Sequence, residues 1–136
     1  MRAVLDTNVF ISGVFFSGPP HQILQSWKEG RVKLLLSASI LDEYYRVAHE
    51  LACKYPSIDL KPFLDLLTLY AEVVQPISLP SVVLDDPSDD IFLECAVGGG
   101  ADCIVSGDKH LLGMSAYKGI PIVKPRDFVL RFLGPA

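Results

Sequence analysis

The sequence predicts an α/β fold, with a mainly parallel sheet covered by helices on both faces. Three observations lead there. Residues 2–5, 33–36 and 103–105 are short and almost wholly apolar, as strands buried on both faces are. Stretches with helical spacing separate them, and strands alternating with helices imply a parallel sheet. The chain has 136 residues, half of them hydrophobic, which suits a single domain with its own core across residues 1–136.

Residues 2–5 read as the first strand, ending on Asp6-Thr7-Asn8. The apolar stretch from Val9 begins a helix, which Ser17-Gly18-Pro19-Pro20 breaks. Proline suits a first helical turn, so a second helix is expected over residues 20–29, stopping at Gly30. Residues 33–36 form the second strand, and Ser37 or Ser39 caps the next helix. In that helix Ile40, Tyr44, Val47 and Leu51 recur at helical spacing, as Phe63, Leu66, Leu67 and Tyr70 do in the following one. Residues 75–87 are Pro-rich and read as an irregular, mobile connection.

Ser88 or a neighbouring Asp opens a helix that ends at Gly98-Gly99-Gly100. This glycine run lacks the spacing of a nucleotide loop and reads as a helix stop. Residues 103–105 make the third strand and lead into Ser106-Gly107-Asp108. A short helix follows near Lys109. Residues 120–123 form a last strand, with Pro121 placing it at a strand start or a sheet edge. Residues 125–133 close the chain as a helix. No repeat or linker divides it.

Charge and cysteine usage narrow the classes of function. The net charge of −4 weighs against a general nucleic-acid coat, which is normally basic. The three cysteines are odd in number and lack C-x-x-C spacing, which argues against a disulfide framework or a zinc ribbon. His49 and Cys53 stand four apart on a helix, but no second pair completes a metal site. No signal peptide or membrane-length apolar run is seen, so the expected location is the cytoplasm.

The acids carry the functional reading. Ligands of parallel sheets bind beyond the carboxyl ends of the strands. Asp6 and Asp108 follow two of these strands and also suit helix N-caps. Glu43 lies at the flank of an apolar helix face, with Asp42 pointing further out. Residues 85–90 hold four acids beside a helix start, where acids favour the helix dipole. Asp90 and Glu94, four apart, form one acidic stripe on an otherwise apolar helix, and Asp89 rivals Asp90. Carboxylates brought together repel unless a cation neutralises them. Hard oxygen donors suit Mg2+ or Mn2+, ions that activate water and stabilise a phosphodiester under attack.

Four segments, Val4-Leu5-Asp6-Thr7-Asn8, Ser39-Ile40-Leu41-Asp42-Glu43, Asp89-Asp90-Ile91-Phe92-Leu93-Glu94-Cys95-Ala96 and Ile104-Val105-Ser106-Gly107-Asp108-Lys109, carry a resemblance. Their order and separations resemble the PIN-domain ribonucleases. More narrowly, they resemble the toxins of prokaryotic toxin–antitoxin pairs. The resemblance spans nearly the whole chain and implies a three-layer α/β/α sandwich that cuts RNA with Mg2+ or Mn2+. By position it implies Asp6, Glu43, Asp90 and Asp108 as acidic catalytic and metal-binding residues. Ser106 would orient a ligand or its water, and Asn8 would assist from behind. His110 stands where many relatives place another acid.

Some of Lys109, Lys118, Lys124, Arg126 and Arg131 are expected to border the pocket, with Lys109 and His110 the candidate RNA contacts. An antitoxin is the partner the resemblance implies. Phe15, Phe16, Trp27 and Tyr45 are candidates for a homodimer face. Two other readings compete. A haloacid-dehalogenase-like phosphatase needs a second Asp where Asn8 stands, and a receiver domain carries its phosphorylated Asp on a mid-chain strand. A PIN-like module that binds RNA without cutting it is the non-catalytic alternative.

Overall fold

The computed structural model describes residues 1–57, 59–78 and 89–134. Strand β1 (Arg2–Leu5) leads into α1 (Thr7–Phe15) and α2 (Pro19–Lys28). Strand β2 (Lys33–Leu36) precedes α3 (Ala38–Lys54) and α4 (Lys61–Tyr70). Next come β3 (Glu72–Val73), α5 (Asp90–Gly99) and β4 (Cys103–Val105). The chain ends with α6 (Lys109–Leu112), β5 (Ala116–Tyr117), β6 (Ile120–Val123) and α7 (Pro125–Phe128), which widens into a π turn over Val129–Leu133.

The six strands form one sheet in the order β3-β2-β1-β4-β6-β5, parallel except for β5. This is a three-layer α/β/α arrangement. Helix α2 packs against α1 and α7, while α5 crosses β1, β2 and β4 and meets α3, which meets α4. The buried runs Val4-Leu5, Leu34-Leu35-Leu36 and Cys103-Ile104-Val105 supply the centre of the core. Their continuous apolarity follows from helices on both faces.

The chain runs outward from β1 to β2 on one side and later resumes with β4 on the other. The strand order therefore reverses between β1 and β4, where parallel sheets open a crevice at their carboxyl ends. Leu5 lies opposite Val105 in this register, so the residues that follow them, Asp6 and Ser106, emerge side by side.

Several expectations gain a physical reason here. Ser37, not Ser39, caps α3, its hydroxyl accepting the Ile40 N–H at 3.2 Å. Pro121 stands near the start of β6, but β6 is internal, because the two-residue strand β5 takes the sheet edge. Gly100 ends α5 in the left-handed region at φ 64°. Gly98 has a second use: a Cβ there would meet the 75–77 backbone, coming within 2.9 Å of the Pro76 Cα. The expected connection over residues 75–87 and the acids Asp85 and Asp86 lie largely outside the described residues. Among the described residues no helix is long and apolar enough to cross a membrane.

Candidate active site

Asp6 is the first residue beyond β1 and the N-cap of α1. Its Oδ1 accepts the Val9 N–H at 2.9 Å, and its own N–H donates to the Val105 carbonyl at 3.0 Å. The cap and the bond to β4 fix the carboxylate at the junction of two parallel strands. Its Oδ2 accepts a short hydrogen bond from the Ser106 hydroxyl. Asp6 is only 5 % exposed, and this burial pushes its pKa up. The Ser106 hydroxyl and the Val9 and Gly107 N–H groups oppose the rise, while the charge of Asp108 adds to it.

Asp108 repeats the arrangement at the end of β4. It caps α6, its Oδ1 accepting the His110 N–H at 2.7 Å and the Leu111 N–H at 3.3 Å. Its own N–H donates to Ser106 Oγ at 2.9 Å. Ser106, fully buried, thus donates to one acid and is held by the backbone of the other. One hydroxyl ties the Asp6 carboxylate to the backbone of Asp108.

Glu43 reaches the same place from α3. The phenol of Tyr44 donates to the Leu5 carbonyl at 2.5 Å, and its ring stacks on Phe10 with centroids 4.6 Å apart. These contacts pin the second turn of α3 to the end of β1, so the preceding residue, Glu43, lines the same cavity as Asp6. The Thr7 hydroxyl donates to Glu43 Oε2 at 2.6 Å, and Arg46 Nη2 donates to Oε1 at 3.3 Å. The helical pattern alone placed Glu43 at a face boundary. Tyr44, Thr7 and Arg46, none of them singled out from sequence for this role, decide where it points.

Asp6, Glu43, Asp89 and Asp108 line one cavity of about 200 Å3, together with Thr7, Asn8 and Arg46. Among the described residues Val47 and Phe92 also line it. Asp89 is the N-cap residue of α5 and is 8 % exposed. Asp90, the first residue of α5, is half-buried and does not line the cavity. The structure thus brings together three of the four expected acids and adds Asp89, the rival of Asp90. Ser106 lies behind the wall, bonded to Asp6 and Asp108. Glu94, Lys109 and His110 do not line the cavity; Glu94 and His110 are half-buried and Lys109 is exposed.

The donor set suits a hard divalent ion, because four carboxylates and a side-chain amide offer oxygen alone. Among the described residues no three His, Cys, Asp or Glu side chains are already clustered tightly enough to hold a metal. The acids therefore surround the cavity without forming a finished cage. Among the described residues that line it, Arg46 is the one cationic side chain.

The PIN-domain family model matches residues 2–110, which include every one of these acids. The chain belongs to the PIN-domain family. PIN domains are in general nucleases and generally use divalent metals. The crystal structure of PAE2754 from Pyrobaculum aerophilum resembles this PIN domain with a TM-score of 0.63 at 14 % identity. That likeness covers 98 % of this chain and 90 % of the other, so it extends the fold past residue 110 through β5, β6 and α7. No curated protein matches the sequence.

Proposed function

We propose that this PIN domain is a Mg2+- or Mn2+-dependent endoribonuclease, the toxin of a toxin–antitoxin pair, working in the cytoplasm. The observation that carries the nuclease reading is the convergence of Asp6, Glu43, Asp89 and Asp108 on one cavity at the reversal of strand order. The toxin role rests on the motif resemblance alone.

Asp6, Glu43, Asp89 and Asp108 would hold the ion. When bound, it would supply an activated water and neutralise charge on the phosphodiester. The chain's own residues do the positioning. Ser106 ties the Asp6 carboxylate to the backbone of Asp108. Thr7 turns Glu43 Oε2 toward the strand ends, and Asn8 presents an amide at the exposed side of the cavity. Burial of Asp6 disfavours its charge in the metal-free protein, so a cation arriving there relieves an existing strain.

The test is cleavage of a mixed RNA panel with Mg2+ or Mn2+, with and without chelator. Asp6→Asn and Asp89→Asn should each lower the rate by about a hundredfold or more, the scale seen when charge stabilisation is removed. Asp90→Asn should change it by a few-fold. Activity that survives Asp6→Asn would remove the site from the reaction. RNA bound but never cut would make the protein a binding module. For the toxin role, expression should arrest growth, Asp6→Asn should relieve the arrest, and a small protein encoded beside it should bind and inhibit the wild type.

A further inference from the structure

The acidic cavity poses a problem for its own substrate, because RNA phosphates must approach four carboxylates. Arg46 stands at this edge. It lines the cavity, and its side chain is 59 % exposed. The residue sits between two glutamates of the same helix. Its Nη2 donates to Glu43 Oε1 at 3.3 Å and its Nη1 to Glu50 Oε1 at 2.8 Å. The two arms are unequal: the Glu50 contact is short and lies outside the cavity, while the Glu43 contact is long and lies within it.

We propose that Arg46 is the substrate-binding residue that receives an RNA phosphate, and that it shares Glu43 with the divalent ion. This rests on the nuclease reading of the site. Without metal, Arg46 partly neutralises Glu43. When Glu43 turns to the ion, Nη2 is released while Glu50 still holds Nη1, so the guanidinium stays at the cavity mouth with a donor exposed. An exposed ion pair three residues apart on a helix is weak, so the exchange is easy. A guanidinium offers phosphate a planar fork that an ammonium lacks. Glu50 acts as a positioning residue for Arg46.

Two measurements on the intact protein separate this from a structural role. One is titration with Mn2+ alone, without RNA. Arg46→Ala removes the competitor for Glu43, so Mn2+ should bind as tightly as to wild type or several-fold more tightly. The other is the KM and kcat for a short single-stranded RNA in Mn2+, measured across salt concentrations. Arg46→Ala should raise KM about tenfold while kcat moves less, and should flatten the log–log salt dependence by about 0.7, the loss of one single-strand phosphate contact. Arg46→Lys should restore the slope but not the full KM. Weaker Mn2+ binding by Arg46→Ala would make Arg46 a mere support of Glu43 and overturn the proposal. So would an unchanged KM and slope in an enzyme whose wild type binds Mn2+ and cleaves RNA. A wild type that neither binds Mn2+ nor cleaves would instead defeat the nuclease reading, and this proposal with it.

Discussion

At the scale of single residues, the chemistry is set by what each carboxylate touches. Asp6 is buried at the end of β1, and its pKa is raised chiefly by that burial. A carboxyl whose folded pKa exceeds its unfolded value binds its proton more tightly in the folded state. Its contribution to stability is therefore greatest below the unfolded value of about 4 and declines as pH rises toward the folded pKa. Asp6→Asn should raise the metal-free melting temperature at pH 7, and the gain should shrink when melting is repeated near pH 4. An equal gain at both pH values would mean that Asp6 is not strained by its charge. The same scale governs the thiols. Cys95 and Cys103 are buried, and desolvation pushes both up to about 12, whereas Cys53 is exposed. A thiol reagent at pH 8 should label one of the three cysteines in the native protein and all three after denaturation.

Whole elements show what a sequence can and cannot reveal. Strands β1, β2 and β4 were legible because burial on both faces leaves an unbroken apolar run. Strands β3 and β5 have two residues each, too few for any period to appear, and they exist through pairing with β2 and β6. Asp6 and Asp108 were legible because strand ends are set by the end of apolarity. The choice between Asp89 and Asp90 was not, because it depends on the residue at which α5 begins, and neighbouring helical positions differ by only a fraction of a turn. Glu43 was legible only by resemblance, since the Tyr44 phenol that places it spans 39 residues of chain. Tyr44→Phe should therefore do more than loosen the fold. It leaves the Leu5 carbonyl without this donor, which costs about 1–3 kcal/mol for a buried acceptor. It also frees the second turn of α3, so, on the proposed nuclease function, RNA cleavage should fall further than the change in melting temperature predicts. The glycine run at the end of α5 likewise has a reason that local pattern hides. Gly98 is pressed against the 75–77 backbone, so Gly98→Ala should destabilise the fold by about 1–3 kcal/mol of overpacking in a denaturant titration. A neutral Gly98→Ala would mean that this segment moves aside freely.

The molecule as a whole gathers acids from four separate places in the chain. Asp6 closes β1, Glu43 rides on α3, Asp89 opens α5 and Asp108 closes β4, and they meet where the strand order reverses. An ion bound by all four would add one more tie between β1, α3, α5 and β4 to the hydrogen bonds of Ser106, Thr7 and Tyr44. It would also favour the folded state, because the unfolded chain scatters the same carboxylates. At a hundred times its dissociation constant such a ligand adds about 2.7 kcal/mol. For a domain of this size that corresponds to a rise in melting temperature of roughly 10 °C. Mn2+ should therefore stabilise the wild type, with the effect abolished by chelator. Asp6→Asn should reverse its own ranking: more stable than wild type without metal, less stable in saturating Mn2+. Asp90→Asn should keep the Mn2+ response, because Asp90 does not line the cavity, whereas Asp89→Asn should lose most of it. If the Asp90 variant lost the response and the Asp89 variant kept it, the ion would sit one position further along α5. The acidic stripe of Asp90 and Glu94 would then be the side of that helix facing the metal.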